Sequence, residues 1–228
     1  MIKPKIISLI LAGGSGSRMQ SAVPKQFVEI GDKPLFLHTL ENFIQNERIS
    51  EHYIVCQNAH IKTISGFIPK NVNVLPAAGE TRQQTCGGAL SYLRDKTESD
   101  TIVLIHDAAR PLVSQRIIDD NISAAIKYNA ATTAILSNDS LFSSNGEFYG
   151  KPISREGVYY LQTPQTFRFD LIDKAHEKAR NDSNFTFTDD ATLFLCYINE
   201  NIAIVQGEKK NFKITTAEDV WLFERLIK

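Results

Sequence analysis

Short apolar runs rich in β-branched residues recur along this chain, separated by stretches of helical periodicity. Ile6–Leu11, Tyr53–Cys56, Val72–Leu75, Thr101–Ile105 and Thr132–Leu136 each read as a strand. Most are apolar almost throughout rather than alternating, the pattern of strands buried on both faces of a parallel sheet. Parallel neighbours need long crossovers, and helices supply them. Pro34 opens PLFLHTLENFIQ, where Leu37, Leu40, Phe43 and Ile44 share a face. Ser114 is a good N-cap for SQRIIDDNISAAIKYN, with Ile118, Ile122, Ala125 and Ile126 on one side. Thr81–Arg94 and Ala217–Ile227 are two further helices. These stripes read as ordinary core faces. The alternation predicts an α/β, doubly wound, mostly parallel (Rossmann-like) sheet.

At 228 residues the chain fits one domain, residues 1–228, long enough to bury a core without staples. Residues 137–162 break the rhythm. They carry Asn145-Gly146 between short strand-like runs, a hairpin signal. A hairpin inserted late in an α/β domain is expected to project as an arm and to embrace a second subunit. The apolar share of 43% and charged share of 22% are those of a globular protein, which excludes disorder, collagen and coiled coil. A net charge of −1 gives no bulk attraction to nucleic acid or membrane. The apolar run Ile6–Ala12 is too short to span a bilayer and lacks a cleavage site. Three scattered cysteines, Cys56, Cys86 and Cys196, make no disulfide framework and fit a reducing cytoplasm.

The strongest chemical signal is LAGGSGSRM, Leu11–Met19, directly after the first strand. Gly13, Gly14 and Gly16 let the backbone bend tightly and aim N–H groups at an anion, with Arg18 following. A structural tight turn is the alternative. Neither the dinucleotide fingerprint nor the Walker A loop fits, because Gly16 is followed by Ser17 and Arg18. Lys25, fixed behind Pro24, is a second cation close to Arg18. Two cations on one loop suit a polyphosphate, whose transfer needs charge neutralisation and alignment. A third element, IVLIHDAARP, ends a strand in His106-Asp107 and places Asp107 where a ribose or metal binds, with Arg110 closing the crevice. His106 reads as a satisfied packing histidine. The run Gly79-Glu80-Thr81-Arg82-Gln83-Gln84-Thr85 reads as a helix start capped by Thr81, or as a reader of a base edge. Lys213, expected at the end of a short strand, is placed to reach the crevice as a third cation. Asp189 reads as a helix cap, since adjacent carboxylates such as Asp189 and Asp190 seldom aim together. No cluster has zinc spacing, and no motif for covalent catalysis occurs.

LAGGSGSRM, PKQF, GETRQQT, HDAARP, TPQTF, TDDA and NFKITT occur in an order that resembles the CDP-polyol-forming cytidylyltransferases, the methylerythritol-phosphate and ribitol-5-phosphate enzymes. The resemblance runs from about Ile6 to the last helix. It implies a homodimer with a hairpin arm, CTP and a polyol phosphate as substrates, and Mg²⁺. It implies catalytic roles for Arg18, Lys25 and Lys213 at the triphosphate and the α-phosphorus. Ala12, Gly13 and Gly14 are implied to wrap the nucleotide, with Gly79, Glu80, Arg82 and Thr85 around the cytosine. Asp107 is implied at the ribose and metal, and Arg110 as a brace. Ser140 and Arg155 on the arm, with Thr188, are implied to hold the polyol phosphate, the arm residues in the partner's site.

Departures bear on the acceptor. Methylerythritol enzymes usually show Asp-Thr-apolar-Lys in the arm, whereas here it is Asp139-Ser140-Leu141-Phe142. Lys210 precedes Asn211-Phe212-Lys213 where an acid is often found. Taken together these features make ribitol 5-phosphate, feeding surface-polymer synthesis, the expected acceptor; TDDA looks nearer the methylerythritol branch, which leaves methylerythritol phosphate and isoprenoid synthesis as the alternative. A nucleotidyltransferase using another NTP and a non-catalytic nucleotide-binding module are the remaining alternatives. Intact Arg18, Lys25, Asp107 and Lys213 argue against the last.

Overall fold

The computed structural model describes residues 3–13, 24–182 and 187–227. In chain order, β1 (Ile6–Leu11) leads to the short ladder of β2 (Glu29–Ile30) and β3 (Lys33–Pro34). Then come α1 (Leu35–Ile44), β4 (Glu51–Cys56), α2 (Ile61–Ser65), β5 (Val72–Pro76), α3 (Arg82–Leu93) and β6 (Ile102–Asp107). The second half holds α4 (Gln115–Tyr128), β7 (Ala130–Leu136), β8 (Leu141–Ser144), β9 (Tyr149–Ile153) and β10 (Tyr159–Arg168). It closes with α5 (Phe169–Asn181), α6 (Asp190–Ile198), β11 (Ala203–Gln206) and α7 (Ala217–Leu226).

The main sheet has seven strands in the order β11-β7-β10-β6-β1-β4-β5. β1 pairs in parallel with β4 and β6, β4 with β5, and β11 with β7. β10 alone runs against its neighbours β6 and β7. Because the strand period is two residues, β1 feeds both faces. Ile6 and Ile10 join Phe36, Leu40, Phe43, Ile118 and Ile122 under α1 and α4. Ile7 and Leu9 join Leu90, Phe167, Ile172 and Phe194 under α3, α5 and α6. Helices on both faces explain why these strands are apolar almost throughout. Ser8, the polar exception, bonds the buried His52 ring at 2.9 Å.

The five expected strands and four expected helices all form. Ser114 and Thr81 cap α4 and α3, accepting from the backbone N–H groups of Ile117 and Gln84. β6 runs two residues beyond Ile105 and so carries His106 and Asp107 within the sheet. α5, β11 and the second half of β10 have no counterpart in the sequence reading, whereas the Asp189 cap marks the start of α6 and residues 159–162 of β10 fall in the expected hairpin. TPQTFR is polar and holds a proline, which hides a strand. The structure accommodates it with a register shift between Leu161 and Gln165 around the cis Thr163-Pro164 bond.

Two expectations are corrected. The hairpin is β8 paired with β9 in its own two-stranded sheet, but residues 159–162 belong to β10 of the main sheet, so the arm is shorter than 137–162. Its connection spans Asn145–Phe148, with Gly146 at φ +102°, a conformation that favours glycine. Lys213 lies on an extended segment outside any strand. That segment is tied down by Ile214, whose N–H bonds the Ala109 carbonyl at 2.8 Å. Among the described residues, no helix is long and apolar enough to cross a membrane.

Phe167 is fully buried at the centre of the sheet, its ring 5.1 Å from that of Phe194. Phe167→Ala should cost about 3–5 kcal/mol of folding free energy, as measured by urea denaturation.

Candidate functional site

The strand order reverses beside β1: the chain steps outward to β4 and β5, then returns to lay β6 on the other side. Such a switch point leaves a crevice at the carboxyl ends of the two strands. Leu11 and Asp107 pair there at the last register position. A cavity opens over this point, walled by Ala12, Gly13, Lys25, Glu80, Arg82, Thr85, Asp107 and Lys213 among others. Thus the first strand, α3, β6 and the segment before α7 each contribute to one wall. Arg18 and Gly14 lie outside the described residues.

Close backbone approach shapes the edge of the cavity formed by Gly13 and Gly79. A Cβ on Gly13 would stand 3.0 Å from the Thr85 hydroxyl, so glycine lets β1 run against α3. The Gln57 amide donates to the carbonyls of Gly13 and Gly79 at 3.2 and 3.1 Å, joining the two glycine segments. Gln84 completes a capping box with Thr81, and its amide oxygen also accepts from the Glu80 N–H. Sequence reasoning missed Gln57; a lone glutamine after a strand carries no pattern of its own.

The charged centre is Asp107. Lys213 Nζ lies 2.9 Å from its carboxylate, and Arg82 and Arg110 each reach it through Nε at 3.4 Å. Burial by itself would raise the Asp107 pKa, but Lys213, Arg82 and Arg110 together hold it well below the usual carboxylate range. Burial by itself would lower the Arg82 pKa, and Asp190 and Asp107 more than reverse it. Arg110 is pulled below its ordinary value by burial, with Arg82 adding repulsion and Asp107 opposing both. Arg110 also donates to the Asn211 carbonyl at 2.9 Å, and Lys25 Nζ to the Ile214 carbonyl at 3.4 Å. The Asn211–Ile214 segment is therefore fastened to the crevice from both sides.

His106 is the packing histidine expected. The Asp107 N–H donates to Thr163 Oγ1 at 3.1 Å, so the hydroxyl is free to give its proton to His106 Nδ1 at 3.0 Å. His106 Nε2 then donates to the Arg110 carbonyl at 3.1 Å. This pattern needs the neutral ring, and burial pushes the His106 pKa down to about 3. His106 holds the turn bearing Asp107 and Arg110 and has no spare proton for chemistry.

A groove adjoins the cavity and shares Arg82, Asp107 and Lys213 with it, adding Arg110, Gln162, Gln165, Thr188 and Asp189. Asp189 caps α6, accepting from the Thr192 N–H at 2.8 Å, as expected. Gln165 accepts from the N–H groups of Asp190 and Ala191, which sets Thr188 on the groove wall. Ser140 and Arg155 stand exposed on the arm and line neither hollow. Sequence reasoning also missed Asp190, which is 1% exposed and pairs with Arg82 Nη1 at 2.6 Å.

Two metal questions follow. Cys86, His176 and Asp190 bring ligand atoms within 4.8 Å of one another. Hydrogen bonds account for that approach, and burial, with Asp190 adding to it, keeps the Cys86 thiol well above its ordinary pKa and protonated. At the cavity, the carboxylates of the wall are Asp107 and Glu80, and Asp107 already faces three cations. That donor set is no preformed cage, and Asp107 is the carboxylate beside which a divalent cation would fit only with most of its ligands supplied from outside the protein. The site as a whole is a cation-rich pocket suited to a polyphosphate and its displacement by a second anion.

Comparison with known proteins agrees with this geometry. The family profile of 2-C-methyl-D-erythritol 4-phosphate cytidylyltransferase (IspD) matches residues 6–228. The chain is similar to a 2-C-methyl-D-erythritol 4-phosphate cytidylyltransferase of Geobacillus kaustophilus, 35% identical and covering 96% of each chain. It is also similar to a ribitol-5-phosphate cytidylyltransferase of Lacticaseibacillus paracasei, 31% identical and covering 98% of each. The crystal structure of 4-diphosphocytidyl-2C-methyl-D-erythritol synthase from Anaerococcus prevotii superposes with a TM-score of 0.83 at 30% identity, over 98% of this chain and 96% of that one.

Neutral His106 contributes stability that is full above its unfolded pKa of 6.5 and is lost as pH falls toward about 3. In that window the unfolded chain binds a proton the folded chain does not. His106→Gln should therefore remove about 1.4 kcal/mol per pH unit from the slope of stability against pH. Urea titrations of both proteins at several pH values in this window measure the difference.

Proposed function

Because this chain belongs to the 2-C-methyl-D-erythritol 4-phosphate cytidylyltransferase family, we propose that it joins CTP to 2-C-methyl-D-erythritol 4-phosphate, releasing pyrophosphate. The chain is a nucleotidyltransferase of the CDP-polyol-forming type. The observation that carries the mechanism is the convergence of Lys213, Arg82 and Arg110 on Asp107, with Lys25 on the same cavity wall. An oxygen of the acceptor phosphate attacks the α-phosphorus of CTP; a new P–O bond forms and the bond to the β-phosphate bridging oxygen breaks. The attacking phosphate is already anionic near neutral pH, so placement and charge neutralisation suffice. That agrees with a cavity and groove lined by no histidine among the described residues, and with His106 behind them locked and neutral.

Within this reading, Lys25, Lys213 and Arg18 neutralise the triphosphate and the crowded α-phosphorus. Ala12, Gly13 and Gly14 present backbone N–H groups. Gly79, Glu80, Arg82 and Thr85 surround the base, Asp107 faces the ribose, and Arg110 braces the turn. Asp107 is the residue that would stand beside a Mg²⁺, which would supply further charge neutralisation. The groove with Thr188 takes the acceptor. The hairpin arm joins two copies and brings Ser140 and Arg155 to the partner's groove; its exposed Phe142, Phe148 and Tyr149 support this. Three cysteines without disulfides fit a cytoplasmic enzyme.

The names of the Geobacillus and Anaerococcus relatives, and Thr188-Asp189-Asp190, support methylerythritol phosphate as acceptor. One observation favours ribitol 5-phosphate as a second reading. Phe142 occupies the arm position where a lysine is usual, and it stacks on Tyr149 at 4.4 Å instead of offering a charge.

Pyrophosphate release with CTP and Mg²⁺ should occur with methylerythritol 4-phosphate, and Lys25→Ala should lower it about 100-fold. Release with ribitol 5-phosphate alone would transfer the assignment to the second reading. Light scattering should give twice the 25.6 kDa chain mass, and Tyr149→Asp should shift it toward monomer. A monomer at every concentration would remove the arm's role.

A further inference from the structure

We propose that His176 and Asp190 are positioning residues, which hold the Arg82 guanidinium at the crevice through a buried hydrogen-bonded chain running behind the site. This rests on the reading of the crevice as a CTP site and adds residues that no part of that reading requires.

The chain links three helices. Arg82 opens α3, Asp190 opens α6, and His176 lies within α5. Asp190 is anchored by its own N–H to the Gln165 side chain at 2.9 Å. Its Oδ2 accepts from Arg82 Nη1 at 2.6 Å, and its Oδ1 accepts from His176 Nε2 at 2.9 Å. The Cys86 thiol adds a further hydrogen bond to the same carboxylate. On its other edge Arg82 reaches Asp107 through Nε at 3.4 Å. The guanidinium thus spans two carboxylates, one in the site and one sealed behind it. Two partners on different edges fix the plane of the group as well as its place.

One atom is left over. Arg82 Nη2 is buried and has no hydrogen-bond partner among the described residues. A buried donor left unpaired is costly. Arg82 itself stands on a wall shared by the cavity and the groove, so a guanidinium held there in one orientation presents a fixed charge to an anionic or carbonyl oxygen of a ligand.

His176 lines neither hollow, so it acts only through Asp190. Its ring is 2% exposed and lies against α3 at Gly87, where a Cβ would stand 3.0 Å from Nδ1. Glycine at that position lets the ring approach. With His176 engaging Oδ1, the carboxylate is turned so that Oδ2 faces Arg82. Without that donor, Asp190 can rotate and Arg82 loses its fixed plane.

The test is calorimetric titration of CTP with Mg²⁺ into wild type, His176→Leu, His176→Gln and Asp190→Asn, each checked for folding by circular dichroism. The chain predicts that His176→Leu weakens CTP about tenfold. His176→Gln, whose amide can still donate to Oδ1, should stay within about threefold of wild type. Asp190→Asn, near-isosteric and uncharged, should weaken CTP by about tenfold or more and serves as the readout if His176→Leu does not fold. CTP binding unchanged in the folded variants, with only melting temperature lowered, assigns the chain a purely structural role and overturns the inference while leaving the CTP site intact. A wild type that binds no CTP overturns the reading of the crevice and the inference with it.

Discussion

A carboxylate at the end of β6, buried and within reach of three cations, organises the functional half of this molecule. Asp107 draws Arg82 from the start of α3, Arg110 from the following turn, and Lys213 from the far end of the chain. Unaided, those cations would repel one another in a poorly solvated pocket. Asp107, with Asp190 behind Arg82, keeps them close while leaving net positive charge facing the cavity. An arriving triphosphate therefore meets cations already gathered and desolvated, and little reorganisation remains for the reaction itself. Placing the anchor within the sheet, rather than on a loop, holds its position through paired strands on either side.

Much of this was legible in the sequence because two signals coincide there. Apolar runs mark β1 and β6 as strands buried on both faces, and Gly13 and Asp107 follow them at the same sheet edge. Lys213 was expected at the crevice and arrives there, although on an extended segment fastened through Ile214 and Asn211. Helix starts at Ser114 and Thr81 were legible because their side chains satisfy backbone donors that few other residues can.

What stayed hidden lacks periodicity or depends on long-range pairing. The second half of β10 is polar, contains proline, and runs against its neighbours, so no local pattern announces it. Asp189 is legible as a helix cap, but nothing in its neighbour Asp190 announces a role; only the fold shows that Asp190 turns inward to Arg82. Gln57, Gln165 and His176 are single residues whose partners lie far along the chain, and no spacing rule reaches them. Ser140 and Arg155 on the arm meet no described cavity of their own chain, so the fold adds nothing to what the sequence says of them.

β10 also decides how the arm behaves mechanically. Its first three residues leave the hairpin and at once pair with β7; a few residues later Thr163 bonds the Asp107 N–H, and Gln165 supports the start of α6. The arm is thus the cantilevered end of a beam clamped in the middle of the sheet. A beam so clamped takes its direction from the sheet rather than from the two short strands of the hairpin. The same beam runs on past the Asp107 backbone and the start of α6, so the arm, the groove and the carboxylate are stations along one continuous strand.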